Sequence, residues 1–159
     1  VIPLTVLDAG CGAGKGALAL AAEGYDVALT DQTDVGLLDE ARRFPFAEAC
    51  LWSPQFRSQM PYRFGGAFDY VYCCDVLEHV PIEFTMLAIA NLLSITRRGL
   101  FLHISTVPDV FGVRVGERLH KTVESFTWWR DRLRELGSVE DARDLIVSGA
   151  YWVEPRRAC

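Results

Sequence analysis

Three places along this 159-residue chain collect side chains able to do chemistry. The first is Asp8-Ala9-Gly10-Cys11-Gly12-Ala13-Gly14-Lys15-Gly16. Glycines there let the backbone turn tightly and come up against a ligand, and free N–H groups at a helix start can face an anion. The second is Asp31, 21 positions after Gly10, where a carboxylate at a strand end can accept both hydroxyl protons of a ribose. The third is Asp75-Val76-Leu77-Glu78-His79-Val80-Pro81, with His120 further along. A neutral imidazole beside a reacting hydroxyl or amine can take its proton, so His79 and His120 are the candidate bases.

Spacing separates the readings of the glycine loop. A phosphate-binding P-loop needs a glycine five positions before Gly14-Lys15 and a hydroxyl after it; Ala9 and Gly16 stand there instead. A dinucleotide fingerprint starting at Gly10 would need its third glycine where Lys15 stands, which leaves a nicotinamide-dependent oxidoreductase as a weak alternative. Lys15 itself reads equally as a partner for a cofactor carboxylate and as a solvated helix-start lysine.

The elements that position these residues alternate. Thr5 to Asp8 reads as a strand, the glycine loop leads into a helix over Ala17 to Glu23, and Asp26 to Thr30 is a second strand closing on Asp31. The pattern continues with a helix around Val35 to Arg43, a strand around Phe46 to Cys50 and a turn-rich stretch from Ser53 to Gly66. The continuous apolar run Phe68 to Cys74 suits a central strand covered on both faces. A helix near Ile82 to Thr96, a strand Leu100 to Ser105 and a helix Phe126 to Leu136 follow, with final strands at Asp144 to Ile146 and Ala150 to Val153. This predicts an α/β, doubly wound and mostly parallel sheet in one domain over 1–159. Ligands in such sheets bind at the carboxyl ends of the strands. Val107 to Ser125 is long enough to fold over a substrate as a lid.

Composition narrows the function. Half of the residues are hydrophobic and 23% charged, which is globular. The net charge of −5 argues against a broad nucleic-acid surface. Residues 1–96 hold five basic side chains against twelve acidic ones, and 97–159 hold eleven against nine, so an anionic partner would meet the last third. Five cysteines without C-x-x-C spacing suggest neither a disulfide framework nor a zinc site, and no metal is expected. Cys73-Cys74 reads as a pair of buried small hydrophobes. His103, alternating inside a strand, reads as a satisfied core residue, and adjacent Trp128 and Trp129 as core packing with one free to edge a site. No stretch approaches the ~20 apolar residues of a membrane span and no signal peptide opens the chain, so a cytoplasmic protein is expected.

Asp8-Ala9-Gly10-Cys11-Gly12-Ala13-Gly14 resembles the first motif of class I S-adenosylmethionine-dependent methyltransferases, and Phe68 to Pro81, ending Asp75-Val76-Leu77-Glu78-His79-Val80-Pro81, resembles their fourth-strand motif in its D-V-L-E-H-V-P form. The likeness covers roughly residues 4–110. It implies S-adenosylmethionine as cofactor, with S-adenosylhomocysteine as product, and a methyl acceptor that is an oxygen or nitrogen nucleophile of a small molecule or exposed group. By the same resemblance Gly10, Gly12 and Gly14 wrap the methionine part, Asp8 and Cys11 of the same loop also bind the cofactor, Asp31 holds the ribose with Gln32 beside the adenosine, Leu51 and Trp52 border the adenine, and Cys74 and Asp75 lie under the methionine end. Cys50 stands near the place where many members carry an acid for the adenine amine, so adenine recognition is expected to rest on backbone and apolar contact. The Asp-Pro-Pro-Tyr type of motif used on flipped bases is missing, which disfavours duplex DNA. The first strand opens almost at residue 1, so a helix covering the cleft is expected to be missing from this chain and a partner chain or larger assembly to complete it. A catalytically weak cofactor-binding subunit is the alternative from another class.

Overall fold

The computed structural model describes residues 2–156; Cys159 lies outside the described residues. Seven strands form one sheet: β1 (Thr5–Ala9), β2 (Asp26–Asp31), β3 (Phe46–Glu48), β4 (Phe68–Cys74), β5 (Thr96–Ser105), β6 (Gly137–Asp144) and β7 (Ser148–Pro155). Their order is β3-β2-β1-β4-β5-β7-β6. Pairing is parallel from β3 through β5, and β7 runs antiparallel to both β5 and β6. The helices are α1 (Lys15–Ala22), α2 (Phe56–Gln59), α3 (Thr85–Ser94), α4 (Gly112–Val115) and α5 (Phe126–Leu136). Strand order reverses between β1 and β4, and a ligand crevice opens at such a switch point.

Alternation along the strands builds two cores. On one face Val27 and Leu29 of β2 pack with Ala17 of α1 and with Leu37 and Ala41. On the other, Leu7, Val71, Leu100 and Leu102 meet Ile89 and Leu92 of α3 and Trp129 and Leu133 of α5. Each such aliphatic side chain contributes about 1.5–3 kcal/mol when fully buried, so this larger cluster carries most of the stability. The α1 face of the central strands is aromatic: Tyr72 stacks on Phe101 with centroids 5.7 Å apart, and Trp152 lies against Tyr70 at 5.8 Å.

The expected helix over Val35 to Arg43 is only a 3₁₀ turn at Asp39–Arg43. Gly36 weakens a helix there. The segment is held instead by Leu38 N–H on the Ala13 carbonyl (3.2 Å) and by Arg42 on the Asp34 side chain and carbonyl. The strand expected at Asp144 to Ile146 is displaced: β6 follows α5 directly, and 145–147 form the hairpin turn with Ile146 at φ 75°. Its charged residues, Glu140, Asp141, Arg143 and Asp144, hid it, because an edge strand needs only one apolar face and is protected by charge.

Candidate active site

The crevice is built first by the glycine loop. Gly10 (φ 73°) and Gly12 (φ 49°) turn in the left-handed region. Backbone N–H groups of Gly10 and Cys11 donate to the Thr30 carbonyl at 2.8 and 3.1 Å, which ties the loop to β2. Glycine is required at position 10 sterically as well, since a Cβ there would stand 2.4 Å from Val76 Cγ2. Across the crevice Asp31 ends β2. Its Oδ2 accepts from Gly12 N–H (2.8 Å) and its Oδ1 from Gln32 N–H (2.7 Å), so loop and carboxylate hold one another.

Two lobes meet at Gly10. One is lined by Asp31, Gln32, Leu51, Trp52, Val76 and His79. Trp52 stacks on Phe84 (6.2 Å, 12° between planes), and the Asn91 amide donates to the carbonyls of Leu51 (2.8 Å) and Ser53 (2.9 Å), pinning this wall from α3. Cys50 does not line this lobe; Ala49 does. The other lobe is lined by Asp8, Cys11, Gly12, Lys15, Tyr72 and Cys74.

Asp8 is the chemically marked residue of the second lobe. It is 3% exposed, and its Oδ2 has no hydrogen-bond partner. Burial pushes its carboxyl up to about 6, the charge of Asp31 adding to the effect and the Ala17 backbone N–H opposing it. A buried carboxylate with an idle oxygen fits an ammonium group, and the Asp31 side chain fits a ribose; these residues suit the methionine and nucleoside ends of one cofactor. The thiols are not nucleophiles. Burial lifts Cys11 to about 12, Cys74 to about 11 and Cys73 well above the ordinary range, so all three stay protonated at neutral pH.

His79 and His120 come together, their rings edge to face with centroids 4.9 Å apart. The strap after β5 brings this about. Lys121 and Thr122 N–H groups donate to the Glu78 carbonyl (2.8 and 3.0 Å), and Thr122 Oγ1 donates to the Val80 carbonyl (2.7 Å). His79 Nδ1 lies 3.1 Å from the Leu119 carbonyl and His120 Nδ1 2.8 Å from that of Val107. A carbonyl only accepts, so each Nδ1 carries the proton and each neutral ring keeps its lone pair on Nε2. His79 lines the first lobe, whereas His120 lines a separate groove of about 360 Å³ with Pro108, Asp109, Gly112, Gly116 and Arg118.

Asp75 sits at φ 56° and turns its carboxylate onto His103 Nδ1 (2.8 Å), while His103 Nε2 meets Ser148 Oγ at 2.9 Å. Asp75 thus borders Cys74 without lining either lobe. His103 is satisfied, as expected, but it is half-buried at the strand end rather than a core residue. Trp129 is fully buried, and Trp128 packs on the core under the Arg132 guanidinium (4.2 Å) and lines neither lobe. Sequence reasoning missed Tyr72, Val76 and Asn91, which line or brace the lobes, and Glu78, which is fully buried beside the histidines. Glu78 lies inside the Asp75-to-Pro81 motif, and its burial is what the motif does not show.

The chain matches a family model described as a methyltransferase domain over residues 3–147. It is 33% identical over 116 residues to magnesium-protoporphyrin O-methyltransferase of Synechocystis sp., covering 73% of this chain and 50% of that protein. The chain therefore spans about half the length of that relative. Among solved structures, magnesium protoporphyrin IX methyltransferase of Synechocystis PCC 6803 with bound SAH superposes with a TM-score of 0.67 at 25% identity, covering 96% of this chain and 74% of that one. The PH0226 protein of Pyrococcus horikoshii OT3 shares the fold at a TM-score of 0.76 and 15% identity, covering 98% and 83%. Among the described residues no helix is long and apolar enough to cross a membrane.

Proposed function

The chain belongs to the class I S-adenosylmethionine-dependent methyltransferase family, and on that premise we propose that it moves the methyl group of S-adenosylmethionine to an oxygen nucleophile of a small molecule. The observation that carries this reading is the place of the imidazole pair: His79 belongs to the nucleoside lobe, and His120 to the neighbouring 360 Å³ groove. That size is at the lower end of small-molecule sites. Val110 and Phe111, 73% and 66% exposed, stand at the segment that forms the groove, which favours an acceptor with an apolar body.

Bound S-adenosylmethionine supplies an electrophilic methyl group on a sulfonium. The residues of this chain contribute binding and alignment, and alignment alone is worth several kcal/mol in a displacement of this kind. Asp31 holds the ribose hydroxyls, Leu51 and Trp52 flank the adenine, the 10–14 backbone turns around the methionine part, and Asp8 meets its ammonium. Cys74 closes the floor below that end, beside Asp75. At the groove side, His79 or His120 receives the proton of a hydroxyl acceptor at Nε2, whereas a carboxylate acceptor arrives already ionised and needs alignment alone.

Titration calorimetry with S-adenosylmethionine, S-adenosylhomocysteine and NAD in parallel tests the cofactor. Micromolar binding of the two sulfur ligands and none of NAD is expected. Silence toward the sulfur ligands sinks the reading, and binding without turnover against any acceptor points to a cofactor-binding subunit. Because the relative acts on magnesium protoporphyrin, that compound and smaller hydroxyl and carboxyl acceptors head the screen.

A further inference from the structure

We propose that Glu78, His79 and His120 form a binding site for a divalent first-row transition-metal cation at the acceptor end of the cleft. One donor atom from each of the three lies within 4.8 Å of the others. Donors around one such ion stand roughly 3–3.5 Å apart, given bonds of about 2.0–2.2 Å, so the three would draw in by up to roughly 1.5 Å.

Each member is prepared for this role by its own contacts. Glu78 is fully buried; Oε1 accepts from Ser105 N–H (3.0 Å), and Oε2 has no partner at all. Burial pushes its carboxyl upward, and the neighbouring His79 opposes that shift. A buried carboxylate oxygen left without a donor is costly, and a cation supplies what the protein does not. Both imidazoles spend Nδ1–H on backbone carbonyls, which orients the rings and leaves Nε2 as the donor. That is the outer-shell arrangement found behind metal-bound histidine. Two imidazoles and one carboxylate suit Zn²⁺, Fe²⁺ and their neighbours better than Mg²⁺, and leave positions open for an acceptor oxygen. The site is invisible in the sequence because His120 reaches His79 only through the strap pinned at Thr122. In the metal-bound chain the Nε2 lone pairs are taken by the cation, and the acceptor would lose its proton more readily by binding the ion instead of by giving it to a bare imidazole; that use of the open positions rests on the methyl-transfer reading, and metal uptake does not.

The test uses the chain freed of metal by chelation, without a histidine tag, titrated with CoCl₂ and followed by visible d–d absorption. One Co²⁺ per chain, displaced by ZnCl₂, is expected. Glu78→Gln, His79→Ala and His120→Ala should each weaken uptake at least about tenfold, while His103→Ala, the third histidine of the chain, leaves it unchanged. Since Glu78→Gln alters a buried group, His120→Ala at a half-buried position decides the matter if the former does not fold. No Co²⁺ spectrum, equal weakening by His103→Ala, or a near-ultraviolet thiolate band marking a cysteine-held ion would each overturn the proposal. Uptake is read without cofactor or acceptor, so its failure leaves methyl transfer standing, and failed cofactor binding leaves the metal result standing.

Discussion

Thr122 Oγ1 donates to the carbonyl of Val80 across 2.7 Å, and by this bond a strap 42 residues downstream is fastened to the loop that carries His79. Both groups are buried, so the bond has no competing water. Thr122→Val leaves the Val80 carbonyl without its donor. A loss of about 1–2 kcal/mol in stability is expected from denaturant unfolding, with turnover falling more than cofactor affinity because His120 is no longer held against His79.

The histidines themselves separate alignment from proton handling. Whichever of the two is the base, its substitution, His79→Ala or His120→Ala, should lower turnover by about 10²-fold or more with the calorimetric affinity for S-adenosylhomocysteine little changed. Full activity in both variants would leave positioning as the whole of the catalysis.

Asp31 is tested by binding. Asp31→Ala removes a charged acceptor and frees the Gly12 and Gln32 N–H groups, so cofactor affinity should fall by roughly 1.5–3 kcal/mol. Unchanged affinity would take Asp31 out of the site.

Asp8 gives a pH dependence with a definite sign. Its carboxyl is raised from 3.8 to about 6 on folding, so the folded chain holds this proton more tightly than the unfolded one. The associated stability is present below about pH 4 and is lost as pH rises through about 6, an effect on the order of 3 kcal/mol. Asp8→Asn should therefore unfold later than the parent at pH 7–8, with the advantage fading toward pH 4. The same variant should bind the sulfonium cofactor less well, and parent affinity should rise with pH through about 6 as the carboxylate becomes available to an ammonium. Unfolding curves and calorimetry across pH 4–8 check both.

Gly99 tests the aromatic face. A Cβ at this position would stand 2.0 Å from the Trp152 ring. Gly99→Ala should cost about 1–3 kcal/mol by overpacking and shift the tryptophan fluorescence.

Local order in the chain was enough for the scaffold. The glycine loop between an apolar strand and an alanine-rich helix, Asp31 at the next strand end and the apolar run into Asp75 are short-range patterns, and β4 and α5 lie where periodicity put them. It failed where local preference was weak. Residues 35–43 are shaped by contacts with Ala13 and Asp34 rather than by their own propensity, and β6 carries charges because it is an edge. The lining of the crevice was legible for the same reason as the scaffold: it is made by residues adjacent to strand ends, whose position the topology dictates. What tertiary structure alone decided is the side of the crevice next to the strap. Glu78, His79 and His120 meet because hydrogen bonds between segments 42 or more residues apart close a strap over the loop, and Glu78 Oε2 lacks a partner because the fold buries it. Burial and long-range pairing are properties of the packed chain, and no spacing along the sequence encodes them.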